Sequence, residues 1–278
     1  MHDLKLYLFT QDDMEIGKEI TYKDVNYVEE NDITDLSSRP TVVIIHGFAS
    51  SKDSTFNEVL KKGYLSNYDV NLFVCDWSVG SKVINYFNAI RDVSVAGKYL
   101  AELLDFLHDN NGLDYKTLTL VGYSLGAHVA GVAGKNIQRD KIGTIIGLDP
   151  ARPGFSISNP SNRLADTDAQ YVESIHTDKL LGIHYPISQV DFFVNNGEKQ
   201  PGCFPLYCSH RRVVDIFYES LTSTELIGRK CEDFKDILDK TKCDGVIGIV
   251  GGSPFITKYN EQGIYQLYTT STSPYGMN

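Results

Sequence analysis

The sequence predicts an α/β protein: a mostly parallel central sheet covered by helices on both faces. Three observations carry that expectation. Four continuous apolar, β-branched-rich runs, Thr41–Ile45, Leu72–Cys75, Thr117–Val121 and Thr144–Leu148, read as strands buried on both faces. Between the second and third, Val93, Ala96, Leu100, Leu103, Leu104 and Leu107 fall at spacings of three and four. That periodicity makes Val93–His108 an amphipathic helix. The third strand then runs through the tight turn Gly122-Tyr123-Ser124-Leu125-Gly126 into a small-residue helical segment, Ala127–Ile137. Strands and helices alternating in this way form a parallel sheet with two helical layers.

The remaining elements follow in chain order. Leu4–Phe9 is strand-like, and Val25–Val28 is a second short strand within otherwise polar, irregular sequence. Tyr171–Ile175 and Val190–Val194 read as later strands, and Arg212–Leu221 as a helix. Gly263–Tyr268 alternates apolar and polar, as an edge strand does, and the tail from Ser271 is loop-like. No repeat, low-complexity tract or linker interrupts the chain, so one domain over residues 1–278 is expected.

Composition narrows the function classes. Of 278 residues 42% are hydrophobic, enough for a sizeable core. Lysine and arginine number 26 against 36 acids, a net charge of −10. Nucleic acid is therefore not an expected partner, since phosphate binding needs a basic surface. No stretch approaches a membrane-spanning length, and residues 1–5 lack a signal-peptide apolar core. Four of five cysteines form two close pairs, Cys203/Cys208 and Cys231/Cys243, at spacings that fit no common zinc pattern. Bridges within those pairs would stabilise the fold by roughly 2 and 3 kcal/mol. Cys75 sits inside an apolar strand as a free thiol. Two local disulfides imply an oxidising compartment, so a secreted protein with its signal already removed is expected. The sequence holds no N-glycosylation acceptor, because Asn159 precedes proline.

Strand, Gly-x-Ser-x-Gly and helix together form the context of a nucleophile elbow. Residues two before and two after the serine must lack bulk, hence Gly122 and Gly126. The Ser124 hydroxyl then projects beside a helix N-terminus, which favours developing negative charge. A serine nucleophile needs a base, and the base an orienting acid, in the chain order Ser, Asp or Glu, His. Asp149 ends the next strand, at the sheet edge where such folds carry their sites. Asp166, Asp168 and Asp191 are the alternatives. Three histidines follow Asp149: His176, His184 and His210. His176 reads as a satisfied core histidine and His184 as a loop residue. His210 is the expected base, because a Cys203–Cys208 bridge would fix its backbone just before a helix. The oxyanion needs two N–H donors, expected from Leu125, after the nucleophile, and Phe48, in the loop after an early strand. His46 precedes Ser124 and is a scaffold residue.

At these residues the chain resembles the pancreatic lipase superfamily. The matching segments are His46-Gly47-Phe48, Cys75-Asp76-Trp77, Gly122–His128, Gly147–Pro153, Ile175-His176-Thr177, Val190–Phe193, Pro201-Gly202-Cys203 and Cys208-Ser209-His210. The resemblance implies the α/β-hydrolase fold, a triad of Ser124, Asp149 and His210, and oxyanion donors at Phe48 and Leu125. Only Phe204, Pro205, Leu206 and Tyr207 stand between the cysteines where triacylglycerol lipases of the family carry a long lid. The loop Asp178–Gln189 is also short, and the family's C-terminal β-sandwich is not expected here. These departures look like the insect phospholipase A1 branch. The family's calcium loop maps near Arg163–Asp168, where Ala165 replaces a carboxylate, so neither a functional metal nor any cofactor is expected. The resemblance implies an enzyme acting on phospholipid, with transient contact at a lipid interface; no heptads or repeat suggest assembly, so a monomer is expected. The alternatives are a short-lid neutral lipase or galactolipase, and a non-catalytic lipid-binding protein of the yolk type.

Overall fold

In a computed structural model the described residues are 4–21, 35–82, 85–205, 207–222, 226–251, 258 and 261–276. The chain opens with a hairpin, β1 (Lys5–Thr10) and β2 (Asp13–Thr21). It then alternates β3 (Thr41–Ile45), α1 (Thr55–Asn67), β4 (Asn71–Asp76), α2 (Ser78–Ser81), α3 (Tyr86–Asn111) and β5 (Leu118–Tyr123). Next come α4 (Leu125–Asn136), β6 (Thr144–Leu148), β7 (Tyr171–His176), β8 (Val190–Val194) and α5 (Cys208–Ser220). The last elements are β9 (Ile227–Lys230), α6 (Phe234–Asp239), β10 (Ile247–Ile249) and β11 (Gly263–Leu267). Among the described residues the strands form one sheet in the order β10-β9-β11-β8-β7-β6-β5-β3-β4-β1-β2. From β4 to β11 every neighbour is parallel, and antiparallel strands flank that block at both ends.

The twofold period of each central strand splits its side chains between two cores. Val43, Ile45, Phe73, Leu120 and Ile145 face α3 and α4. Val42, Ile44, Leu72, Val74, Val121 and Ile146 face α1 and α5. Most of these side chains are fully buried, and each contributes about 1.5–3 kcal/mol. A surface ion pair such as Lys5–Glu19, with both side chains over a third exposed, contributes at most about 1 kcal/mol. Burial, not surface charge, holds the layers together.

α3 and α4 pack closely because Gly97 meets Val132 where a Cβ would collide. Asn85 caps α3 by accepting from the Phe87 N–H, and left-handed Gly112 ends it. The helix therefore begins earlier and ends later than its apolar stripe suggests.

Some expectations differ from the structure. β2 occupies sequence read as irregular, and the strand expected at Val25–Val28 lies outside the described residues. α1, α2, α6, β9 and β10 were not expected. The segment Gly263–Tyr268 is not an edge strand: β11 lies between β8 and β9. Its polar residue Gln266 is buried, with its amide bonded to Asn196 and the Thr241 carbonyl and its carbonyl accepting from the Cys243 N–H. The alternation that resembles a solvent face is a buried polar network. The disulfides Cys203–Cys208 and Cys231–Cys243 are both formed, and Cys75 is a buried thiol.

Candidate active site

Ser124 sits between β5 and α4 with φ 56° and ψ −118°. A non-glycine residue there costs on the order of 1–3 kcal/mol, and the surroundings must enforce it. The Ser124 N–H donates to the Leu148 carbonyl at 3.0 Å, and its carbonyl accepts from Ala151 and Ala127, each at 3.2 Å. A Cβ on Gly122 would strike the Gly126 carbonyl, and one on Gly126 the Ile45 carbonyl. Both glycines are thus required by close backbone approach, as the motif reading expects.

Asp149 follows β6 in the left-handed region, φ 42°. Its carboxylate is fully buried and held on two sides. One oxygen accepts from the backbone N–H groups of Thr177 at 2.7 Å and Asp178 at 3.2 Å. The other accepts from His210 Nδ1 at 2.5 Å. A carboxylate can only accept, so Nδ1 carries the proton and Nε2 is left as the acceptor. The Ser124 hydroxyl lies 2.9 Å from that Nε2 and donates to it. His210 is inside the first turn of α5 rather than before the helix, two residues past the Cys203–Cys208 bridge.

The other candidates are occupied elsewhere. His176 Nδ1 meets the Ile183 carbonyl and Nε2 meets Asp191, each at 2.8 Å, so both residues serve a buried structural pair. His184 bonds the Asn196 carbonyl at 2.8 Å. Asp166 is exposed. Asp168 pairs with Lys135, whose ammonium also donates to the Arg163 carbonyl at 2.9 Å. Burial pushes the Asp168 carboxyl up to about 6 despite the pull of Lys135. With its carboxylate and the Arg163 carbonyl taken by an ammonium, the segment from Arg163 to Asp168 offers no free donor set for calcium, and the residues do not fit that ion. The sulfurs of Cys231 and Cys243, which lie beside Asp236, are consumed in a disulfide and offer no thiolate.

The loop after β3 carries Phe48, and its anchoring is dense. Trp77 Nε1 donates to the His46 carbonyl at 2.8 Å, and the Ala49 N–H donates to the Ser81 carbonyl at 2.8 Å. His46 Nε2 lies 3.3 Å from Asp76. Burial opposes ionisation of Asp76, but bonds from His46 and Ser78 outweigh it and hold the carboxyl at about 2. Among the described residues the N–H groups of Phe48 and Leu125 donate to no backbone carbonyl.

A cavity of about 340 Å³ opens at Ser124 and His210, walled by Phe48, Tyr86, Tyr123, Pro153 and Leu181. The Phe48 and Tyr86 rings meet edge to face, 5.1 Å apart. Phe204 and Pro205 do not line it; they line a neighbouring cavity with Leu180 and Lys199. Phe204 and Tyr207 are 88% and 62% exposed, and Leu206 lies outside the described residues. Sequence reasoning missed Tyr86, Leu181 and the Asp149 support at Thr177 and Asp178. It also missed Gly182, where a Cβ would strike the Asp149 carboxylate. None of these stands in a motif whose spacing reveals a partner so far along the chain.

A doubly covered, mostly parallel sheet with a strained serine between a central strand and its helix defines an α/β hydrolase. Residues 1–275 match the family model described as Lipase, and the chain belongs to that family. It is 34% identical to "Phospholipase A1 2" of Polistes dominula over 242 residues, 82% of this chain and 73% of that protein. It is 35% identical to "Phospholipase A1" of Vespula squamosa, over 87% of this chain and 84% of that protein. It is 39% identical to "Probable phospholipase A1 magnifin" of Vespa magnifica over 68% of this chain, and spans 60% of that relative's length. Among solved structures, an α/β hydrolase from a deep-sea metagenome matches with a TM-score of 0.39 and 16% identity, over 66% of this chain and 73% of that one.

Proposed function

We propose that this chain is a serine carboxylic ester hydrolase of lipids, a phospholipase A1 that releases the sn-1 fatty acid through an acyl-enzyme. The observation that carries the reading is the hydrogen-bonded chain Ser124–His210–Asp149 at the mouth of an apolar cavity. The naming of relatives at 34–39% identity as phospholipases A1 supports the substrate.

The Ser124 oxygen attacks the ester carbonyl carbon while His210 Nε2 takes the hydroxyl proton. The carbonyl oxygen becomes an oxyanion, held by the N–H groups of Phe48 and Leu125. Collapse breaks the bond to the glycerol oxygen, which leaves with the proton from Nε2. Water then gives its proton to Nε2 and attacks the acyl-serine. The second collapse frees the fatty acid and returns the proton to Ser124. Asp149 fixes the tautomer and stabilises the imidazolium.

Contact with a lipid surface is transient, through Phe87, Leu180, Phe204 and Tyr207, all at least half exposed. The two disulfides support secretion. No helix among the described residues is long and apolar enough to cross a membrane. The enzyme acts as a monomer, and residues 1–275 supply its catalytic domain. Ser124→Ala should abolish ester turnover, by at least ~1000-fold, and leave the melting temperature at or above the parent's, since it removes one small side chain. Turnover retained by that variant rules out the assignment.

A further inference from the structure

An ester bound at Ser124 has two limbs, an acyl chain and an alcohol; one cavity opens at the nucleophile, and a second shares the Phe48 and Tyr123 wall with it. The apolar cavity described above suits the acyl limb. A second cavity of about 280 Å³ lies on the far side of Phe48 and Tyr123, which form the wall common to both. Its lining is of a different kind. Ser50, Ser54 and Thr55 contribute from the approach to α1, and Arg211 and Val214 from α5.

Arg211 is the one charged side chain among the described lining residues, on a chain of net charge −10. It directly follows His210 in the first turn of α5, where successive side chains point apart, so His210 lines the first cavity and Arg211 the second. Its guanidinium makes no ion pair within 4 Å among the described residues; Asp215, one turn on, lies 3.9 Å from Arg212 and acts on Arg211 only through the longer-range attraction of its charge. No acid is among the described residues that line the cavity. The first turn of α1 faces the same space, and its dipole adds partial positive charge.

We infer that this cavity receives the alcohol limb of the substrate, with the Arg211 guanidinium binding the phosphodiester of the glycerophospholipid. The inference rests on the phospholipase reading and deepens it. The phosphate of a phospholipid lies across the glycerol backbone from the sn-1 ester. With the ester carbon at Ser124 and the acyl chain in the apolar cavity, the phosphodiester is carried past Phe48 toward Arg211. A guanidinium matches a phosphate with two parallel N–H donors, whereas lysine offers a single point charge. Triacylglycerol presents no anion there and gains nothing from the site.

The test compares Arg211→Ala and Arg211→Lys with the parent on three substrates. Phosphatidylcholine and a diacylglycerol with the same acyl chains are presented in the same mixed micelles, and p-nitrophenyl butyrate in solution. The expected result is a loss of about tenfold in kcat/KM on phosphatidylcholine for the alanine variant. Diacylglycerol and the soluble ester should be unaffected, and lysine should restore part of the loss. An equal fall on all three substrates would assign Arg211 to supporting His210 and overturn the proposal. So would unchanged turnover of phosphatidylcholine. Arginine-dependent inhibition of diacylglycerol hydrolysis by inorganic phosphate, without a change in phospholipid preference, would mark a free-anion site and also overturn it. A parent enzyme that cleaves the soluble ester but not phosphatidylcholine fails at the phospholipase reading itself.

Discussion

Asp149 shows how little room the site leaves at single residues. Its carboxylate is wedged between the Thr177 and Asp178 N–H groups, the His210 ring and the bare Cα of Gly182. A methyl group at 182 must displace the carboxylate, because the collision is with a buried acid rather than a flexible chain end. Gly182→Ala should therefore lower kcat by roughly 100-fold, comparable to other losses of catalytic orientation. The KM for a soluble ester should stay near the parent's, since Gly182 does not line the cavity. An unchanged kcat in a steady-state assay would mean that Asp149 does not need this position. The three residues that the structure joins by hydrogen bonds, and to which the proposed chemistry is assigned, were legible, because each has a motif that ties residue type to geometry. Ser124 is flanked by two glycines, Asp149 ends a buried strand, and His210 follows a bridged cysteine. Gly182 was not legible, because its partner is distant in sequence and a glycine in a loop has many uses.

At the scale of elements, legibility follows burial. β3 through β8 are covered on both faces, so their sequences are continuous apolar runs. β2 lies at the sheet edge and its Ile16 is 84% exposed, so no apolar face marks it. β9 and β10 are short, and Gly228 and Gly248 give way to the Phe192 and Tyr265 rings instead of supplying side chains. α4 shows a further device, a histidine used as a neutral strut. His128 Nε2 donates to the Ala151 carbonyl at 2.7 Å, and Nδ1 accepts from the Leu164 N–H at 3.1 Å. Burial pushes this imidazole down to about 3. The unfolded chain binds that proton near 6.5 and the folded chain does not, so protons favour unfolding between those values. The stability from neutral His128 is complete above about pH 6.5 and is lost as pH falls toward 3. Melting temperature should fall across that window, and His128→Gln should flatten the slope by about one proton's worth. A variant with the parent's slope would show that His128 does not carry this dependence.

For the whole molecule, the sheet brings together residues that the chain keeps far apart. Phe48 comes from the loop after β3, Ser124 from the end of β5, Asp149 from the end of β6 and His210 from α5. The parallel register places the three strand ends at one edge of the sheet. Loops at that edge then shape an apolar cavity at the nucleophile and a second, more polar one across Phe48 and Tyr123. Of the short stretch between Cys203 and Cys208, Phe204 and Pro205 line a different cavity from the one at Ser124. The central claim is that this edge hydrolyses the sn-1 ester of a phospholipid. Its most direct test is product analysis on a phosphatidylcholine with different acyl chains at sn-1 and sn-2, run beside triolein and with Ser124→Ala as control. Release of the sn-1 acid, with little triolein turnover and none by the variant, is the expected result. Rapid triolein turnover with the phospholipid left intact would contradict the claim.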